Sequence, residues 1–108
     1  MYIQLAPIKL KKGIDEQTLV QASDAFQLEF VTKQKGILQR IVLKGKDGTY
    51  ADLVFFENKG AADEVAAAEQ TSPACLTFFG LMEMDESLPD MGVLSFEHLK
   101  TYDDSETL

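Results

Sequence analysis

Residues 36–57, GILQRIVLKGKDGTYADLVFFE, constrain this chain more than any other stretch. Two β-rich runs, residues 37–44 and 49–57, flank Asp47-Gly48, a dipeptide suited to the positive φ angles of a tight hairpin turn. With those two residues as the loop tip, Leu43 faces Asp52, Val42 faces Leu53, Ile41 faces Val54 and Arg40 faces Phe55. Side chains along a strand alternate between the two faces of a sheet. One face then carries Ile37, Ile41, Leu43, Val54 and Phe56, and the other Leu38, Val42, Ala51, Leu53 and Phe55. An antiparallel sheet packed on one side only alternates between apolar and polar residues. Here both faces are apolar, and the chain has helices for only one of them. The expectation is that a second copy of the chain covers the other.

The remaining elements follow from local signals. Residues 2–10 read as a first strand, in which Pro7 must sit at a bulge or turn its missing donor away from a partner. A first helix starts at Asp15 as N-cap, with Ile14 and Leu19 in the two positions of a hydrophobic staple. Leu19, Ala22, Ser23, Phe26 and Phe30 form its apolar stripe, and Lys33, Lys35 and Gly36 mark its end. After the hairpin, Asn58 or Gly60 caps a second, alanine-rich helix over residues 61–71. Ser72 and Pro73 stop it and start a short third helix over 74–79, which Gly80 ends. Residues 83–90 read as an acidic loop, 92–102 as the last strand and 103–108 as an acidic tail. The order is strand, helix, strand, strand, helix, short helix, strand. That is the β-α-β-β-α-β pattern of a ferredoxin-like α+β sandwich with a four-stranded antiparallel sheet. One domain over residues 1–102 is expected.

Composition excludes several roles. A net charge of −8 and a pI near 4.5 argue against nucleic acid as a partner, because phosphate contacts need a clustered basic surface. The charge is uneven: residues 61–108 hold one Lys or Arg against eleven Asp or Glu. The plain reading of that imbalance is a solvated acidic surface, and the functional one is a docking face for a basic partner. A single cysteine excludes an intrachain disulfide and a cysteine-based zinc site. With no signal peptide and no membrane-spanning apolar run in view, a cytoplasmic location without membrane contact is the expectation.

Few residues carry chemistry on sequence grounds. His98, the one histidine, is either a structural residue at a strand end or a base or hydrogen-bond partner for a ligand under the sheet. Tyr50 and Asp52 share a face with Val54 and Phe56. A carboxylate among apolar neighbours has a raised pKa and can act as a general base. Proximity to the hairpin tip nevertheless favours solvent exposure for Asp52. Gln39, placed on that same face, can orient a polar ligand atom, whereas Arg40 falls opposite and is expected to meet a carboxylate across a subunit boundary. Cys75 lies in the first turn of the short helix and reads first as a small buried apolar residue. Phe26, Phe30, Phe56, Phe78 and Phe79 are core residues or, against an alanine-rich helix, the walls of a pocket. No metal-ligand spacing, phosphate loop or nucleophile triad is present, so no metal or bound cofactor is expected.

GILQRIVL, YADLVFFEN, the alanine-rich helix with SPACLTFF behind it, and VLSFEHL together resemble the dimeric α+β barrel superfamily, in the style of its antibiotic biosynthesis monooxygenase-like members. The resemblance lies in element order and apolar spacing and covers nearly the whole chain. It implies a homodimer formed through the sheets and a pocket between each sheet and its own helices. It also implies a small-molecule-binding protein, monooxygenase-like and cofactor-free, that acts on or sequesters an apolar or aromatic compound. The chain departs from the enzymes of that group in having no tryptophan and no histidine in the short helix. The alternative is a non-catalytic dimeric module, regulatory or stress-related, whose pocket is filled by its own phenylalanines.

Overall fold

The computed structural model describes residues 1–102, and the acidic tail expected over 103–108 lies outside them. Seven elements succeed one another: β1 (Tyr2–Ile8), α1 (Glu16–Glu29), β2 (Ile37–Lys44), β3 (Tyr50–Phe56), α2 (Lys59–Glu69), α3 (Pro73–Phe79) and β4 (Leu94–Glu97). The strands form one antiparallel sheet in the order β2-β3-β1-β4, with the helices on one side. This is the ferredoxin-like α+β sandwich that the element order implied.

Each helix begins where a side chain can accept from an otherwise unpaired backbone N–H. Asp15 Oδ1 accepts from Thr18 N at 2.8 Å, Asn58 Oδ1 from Ala61 N at 2.8 Å, and Ser72 Oγ from Cys75 N at 3.5 Å. Pro73 takes the first helical position of α3, where its missing N–H costs nothing. α1 stops earlier than its lysines implied. It ends at Glu29, and a separate 3-10 turn over Val31–Lys33 carries the chain to β2. β4 is likewise shorter than expected, ending at Glu97.

The hairpin register differs from the expected one by one residue. Val42 pairs with Asp52, Ile41 with Leu53 and Arg40 with Val54. Gly45 N donates to Thr49 O at 2.7 Å, so three residues, Lys46, Asp47 and Gly48, form the tip rather than two. Gly48 takes the left-handed conformation (φ +82°) that such a three-residue loop requires. An irregularity between Ile37 and Gln39 then returns Ile37 to the face of Phe56. A shift of one residue exchanges faces. Arg40 therefore joins Asp52 under the helices, and Gln39 moves to the outer face.

The core between sheet and helices is built from Ile8, Leu19, Phe26, Phe30, Phe56, Val65 and Phe78, with Cys75 and Met82 beside them. The opposite face of the sheet has no cover in the monomer. Ile3, Leu5, Ile41, Leu53, Phe55 and Phe96 occupy it, as their cross-strand pairings dictate. The outer face is thus apolar, as the two-faced pattern required, although its membership follows the shifted register. Among the described residues no helix is long and apolar enough to cross a membrane.

Candidate active site

A cavity of about 460 Å³ lies between the sheet and the helices. Phe26 and Phe30 of α1, Phe56 of β3, and Phe78 and Phe79 of α3 give it aromatic walls. Phe26 stacks on Phe78 with ring centroids 4.6 Å apart and planes 11° from parallel, and on Phe30 at 5.5 Å. α2 contributes Ala62, Val65 and Ala66, whose small side chains leave the volume open rather than fill it. β4 pairs only with Tyr2–Leu5, so the edge of β1 beyond that point carries no strand. There the cavity reaches Met84, Asp90, Met91 and Val93.

One wall is polar. Arg40 Nε donates to both carboxylate oxygens of Asp52, at 3.0 and 2.9 Å. Its Nη2 donates to Ser23 Oγ at 2.7 Å and its Nη1 to Gln27 Oε1 at 3.3 Å, which fastens β2 to α1. The guanidinium carbon lies 4.9 Å from the centroid of Phe26 and 5.2 Å from that of Phe78, within cation–π range. Asp52 is only 7% exposed. Burial pushes its carboxyl pKa up, and the Arg40 guanidinium pulls it back towards the ionised form. Gln4, whose amide reaches Ser95 Oγ at 3.3 Å, completes this wall.

Glu69, the last residue of α2, also lines the cavity. Burial, and secondarily the negative charge of Asp52, raise its pKa to about 7. A carboxyl titrating near neutrality inside an apolar cavity can give or take a proton under ordinary conditions. Sequence reasoning passed over it, because one glutamate at the end of an alanine-rich helix looks solvated. The signal was present in its spacing: Ala62, Val65 and Glu69 follow at three and four residues and share a face.

The structure gathers only part of the residues singled out from sequence. Phe26, Phe30, Phe56, Phe78, Phe79 and Asp52 line one cavity. The expectation of a solvent-exposed Asp52 fails because the shifted register buries it against Arg40. Arg40 in turn meets its carboxylate inside the subunit rather than across a boundary. Gln39 is exposed on the outer face and away from the cavity. Tyr50 lies at the far end of β3, where its hydroxyl donates to Glu16 Oε1 at 3.1 Å, beside the Lys44–Glu16 ion pair at 2.8 Å. Cys75 is fully buried behind the cavity wall, and burial pushes its thiol pKa up. His98 follows β4, outside the cavity, with Nε2 2.6 Å from Thr101 Oγ1. No group of three metal-ligating side chains comes together among the described residues.

No family model and no curated protein sequence matches this chain. Solved structures do. Rv0793 from Mycobacterium tuberculosis is similar over 94% of this chain and 98% of its own, with a TM-score of 0.66 and 15% identity. A variant of SnoaB, a cofactor-independent oxygenase from Streptomyces nogalater, is similar over 93% of this chain and 94% of its own, with a TM-score of 0.64 and 12% identity. A putative antibiotic biosynthesis monooxygenase from Caulobacter crescentus CB15 is similar over 92% and 90%, with a TM-score of 0.65 and 10% identity. At such identities the likeness is one of fold. The chain has the ferredoxin-like α+β fold of the antibiotic biosynthesis monooxygenase-like proteins.

Proposed function

We propose that this protein binds an apolar, aromatic small molecule between its sheet and helices, and acts on it as a cofactor-free, monooxygenase-like enzyme. The observation that carries the reading is the cavity itself. About 460 Å³ lined by five phenylalanines is within the range of small-molecule sites. Its polar lining is limited to Gln4, the Arg40–Asp52 pair, Glu69, Gln70 and Asp90, few enough to orient a ligand without making the site hydrophilic. Glu69 is the acid–base group of this reading, in place of His98 and Tyr50, which lie elsewhere. The open volume weighs against a module whose pocket is filled by its own rings. The fold shared with a cofactor-independent oxygenase favours oxygen chemistry over other reactions of a bound aromatic.

The outer sheet face supports the second part of the reading, a homodimer in which two sheets pack against each other. Leu43, Leu94 and Phe96 are 41%, 54% and 49% exposed in the monomer, an apolar surface that a second copy would cover. Native mass spectrometry of freshly purified protein, before and after denaturation, tests both parts. A dimer that loses a small aromatic adduct on denaturation, or that takes up 2-naphthol and consumes oxygen with bound aromatics, is expected. Failure of aromatic compounds to bind, with Ala66→Phe behaving like the parent chain, would overturn the ligand-site reading.

A further inference from the structure

Arg40 is the one cationic side chain among the residues lining the cavity, and its charge is already matched by Asp52. Ser23 and Gln27 each accept one further N–H from it, and its plane rests on Phe26 and Phe78. Its charge is thus compensated by Asp52 before any ligand arrives. Two more carboxylates, Glu69 and Asp90, line the same cavity, and neither makes an ion pair with a described residue. Asp90 is exposed and ends the acidic stretch that also carries Asp85, Glu86 and Glu83, the last paired with Lys9 at 3.3 Å. The site therefore has aromatic walls, a surplus of negative charge inside and an acidic approach. An organic anion would meet uncompensated carboxylates there. A cation would meet counter-charge and ring faces.

We propose that the cavity is selective for organic cations, an aromatic compound bearing a protonated amine, with Glu69 as the counter-ion. This rests on the ligand-site reading above and names the class of ligand for the same site. The groups around Glu69 are consistent with it. Asp52 of β3, paired with Arg40 of β2, acts on its carboxyl, and the buried Cys75 thiol of α3 feels its charge in turn. Gln4 of β1, Gln70 beside Glu69 and Asp90 of the segment before β4 line the same cavity, to which α1 gives only Phe26 and Phe30. No free cation competes for the Glu69 carboxylate from these elements. Because Glu69 titrates at about 7, its counter-charge is complete only above neutrality, and an ammonium bound beside it would draw that pKa down.

Three probes of one shape decide the matter: 2-naphthylmethylamine, 2-naphthylmethanol and 2-naphthoate, each titrated calorimetrically against the full chain. At about pH 8, a charge-assisted contact makes the amine bind at least about tenfold more tightly than the alcohol, and the carboxylate most weakly. Glu69→Gln removes the amine's advantage and leaves the alcohol's affinity within about twofold. Should that variant fold poorly, the unaltered protein supplies the same test. The amine's affinity then falls as pH drops below about 7, while that of the alcohol stays level. Equal binding of amine and alcohol, tighter binding of the carboxylate, or an amine advantage that survives Glu69→Gln overturns the inference and leaves the ligand site standing. Binding of none of the three overturns both.

Discussion

Both carboxylate oxygens of Asp52 take a hydrogen bond from a single nitrogen, Nε of Arg40, with side chains only 10% and 5% exposed. Breaking a buried pair from one side leaves an uncompensated charge, whereas replacing both partners by apolar residues is often tolerated. Arg40→Met is therefore expected to cost about 3 kcal/mol or more in urea unfolding, since it strands Asp52 and also strips Ser23 and Gln27 of a donor. The double variant Arg40→Met, Asp52→Leu is expected to recover most of that loss. Equal destabilisation of single and double variants would mean that the pair is not energetically coupled.

That pair also marks the limit of what the sequence could reveal. The caps at Asp15 and Ser72 depend on one side chain and the next turn of backbone, so they were legible from local pattern, which for α2 left Asn58 and Gly60 both open. So was the two-faced apolar sheet, because alternation survives any register. Register itself depends on how many residues form the hairpin tip, and Asp47-Gly48 suits a two-residue turn as well as the tip of three found here. The choice of one over the other moved Arg40 onto the face of Asp52 and converted an apparent surface carboxylate into a buried one. Glu69 required knowing that α2 is laid with Ala62 and Val65 against a void rather than against filled core. Spacing gives the face of a helix, but not the volume beneath it.

Glu69 makes stability depend on pH in a direction that can be stated. Its folded-state pKa, about 7, lies above the ordinary 4.5. Between those values the folded chain holds more proton than the unfolded chain, so stability is greatest at the acid end and falls as pH rises through 7. Discounted for partial exposure, the fall is about 2 kcal/mol. Glu69→Gln should flatten this part of the profile in chemical unfolding measured from about pH 4.5 to 8. An unchanged slope would place the titrating group elsewhere.

The start of β2 approaches α2 more closely than any side chain allows. A Cβ built on Gly36 would lie 2.5 Å from Cβ of Ala61. Gly36→Ala is expected to cost about 2 kcal/mol as the helix is forced outward, in keeping with overpacking elsewhere. Adding Ala61→Gly should restore part of the loss beyond the intrinsic cost of a glycine near the start of a helix. Thermal unfolding of the four combinations gives the coupling directly.

Oligomeric state follows from which residues share the outer face. The pairings place Ile41, Leu53 and Phe55 there, opposite Ile3 and Leu5, while Val42 and Phe56 lie on the helix side. An ammonium or carboxylate buried between two apolar sheets without a partner is strongly unfavourable. Leu53→Lys, or independently Phe55→Glu, should convert the proposed dimer to monomers in size-exclusion chromatography with light scattering. Val42→Lys is the control, since it places the same charge on the other face, beside Asp52 in the register, and should leave the mass unchanged. A dimer that survives both outer-face charges would mean that the copies meet through a different surface. A parent chain that is monomeric at micromolar concentration would mean that the apolar face is covered by something other than its own copy.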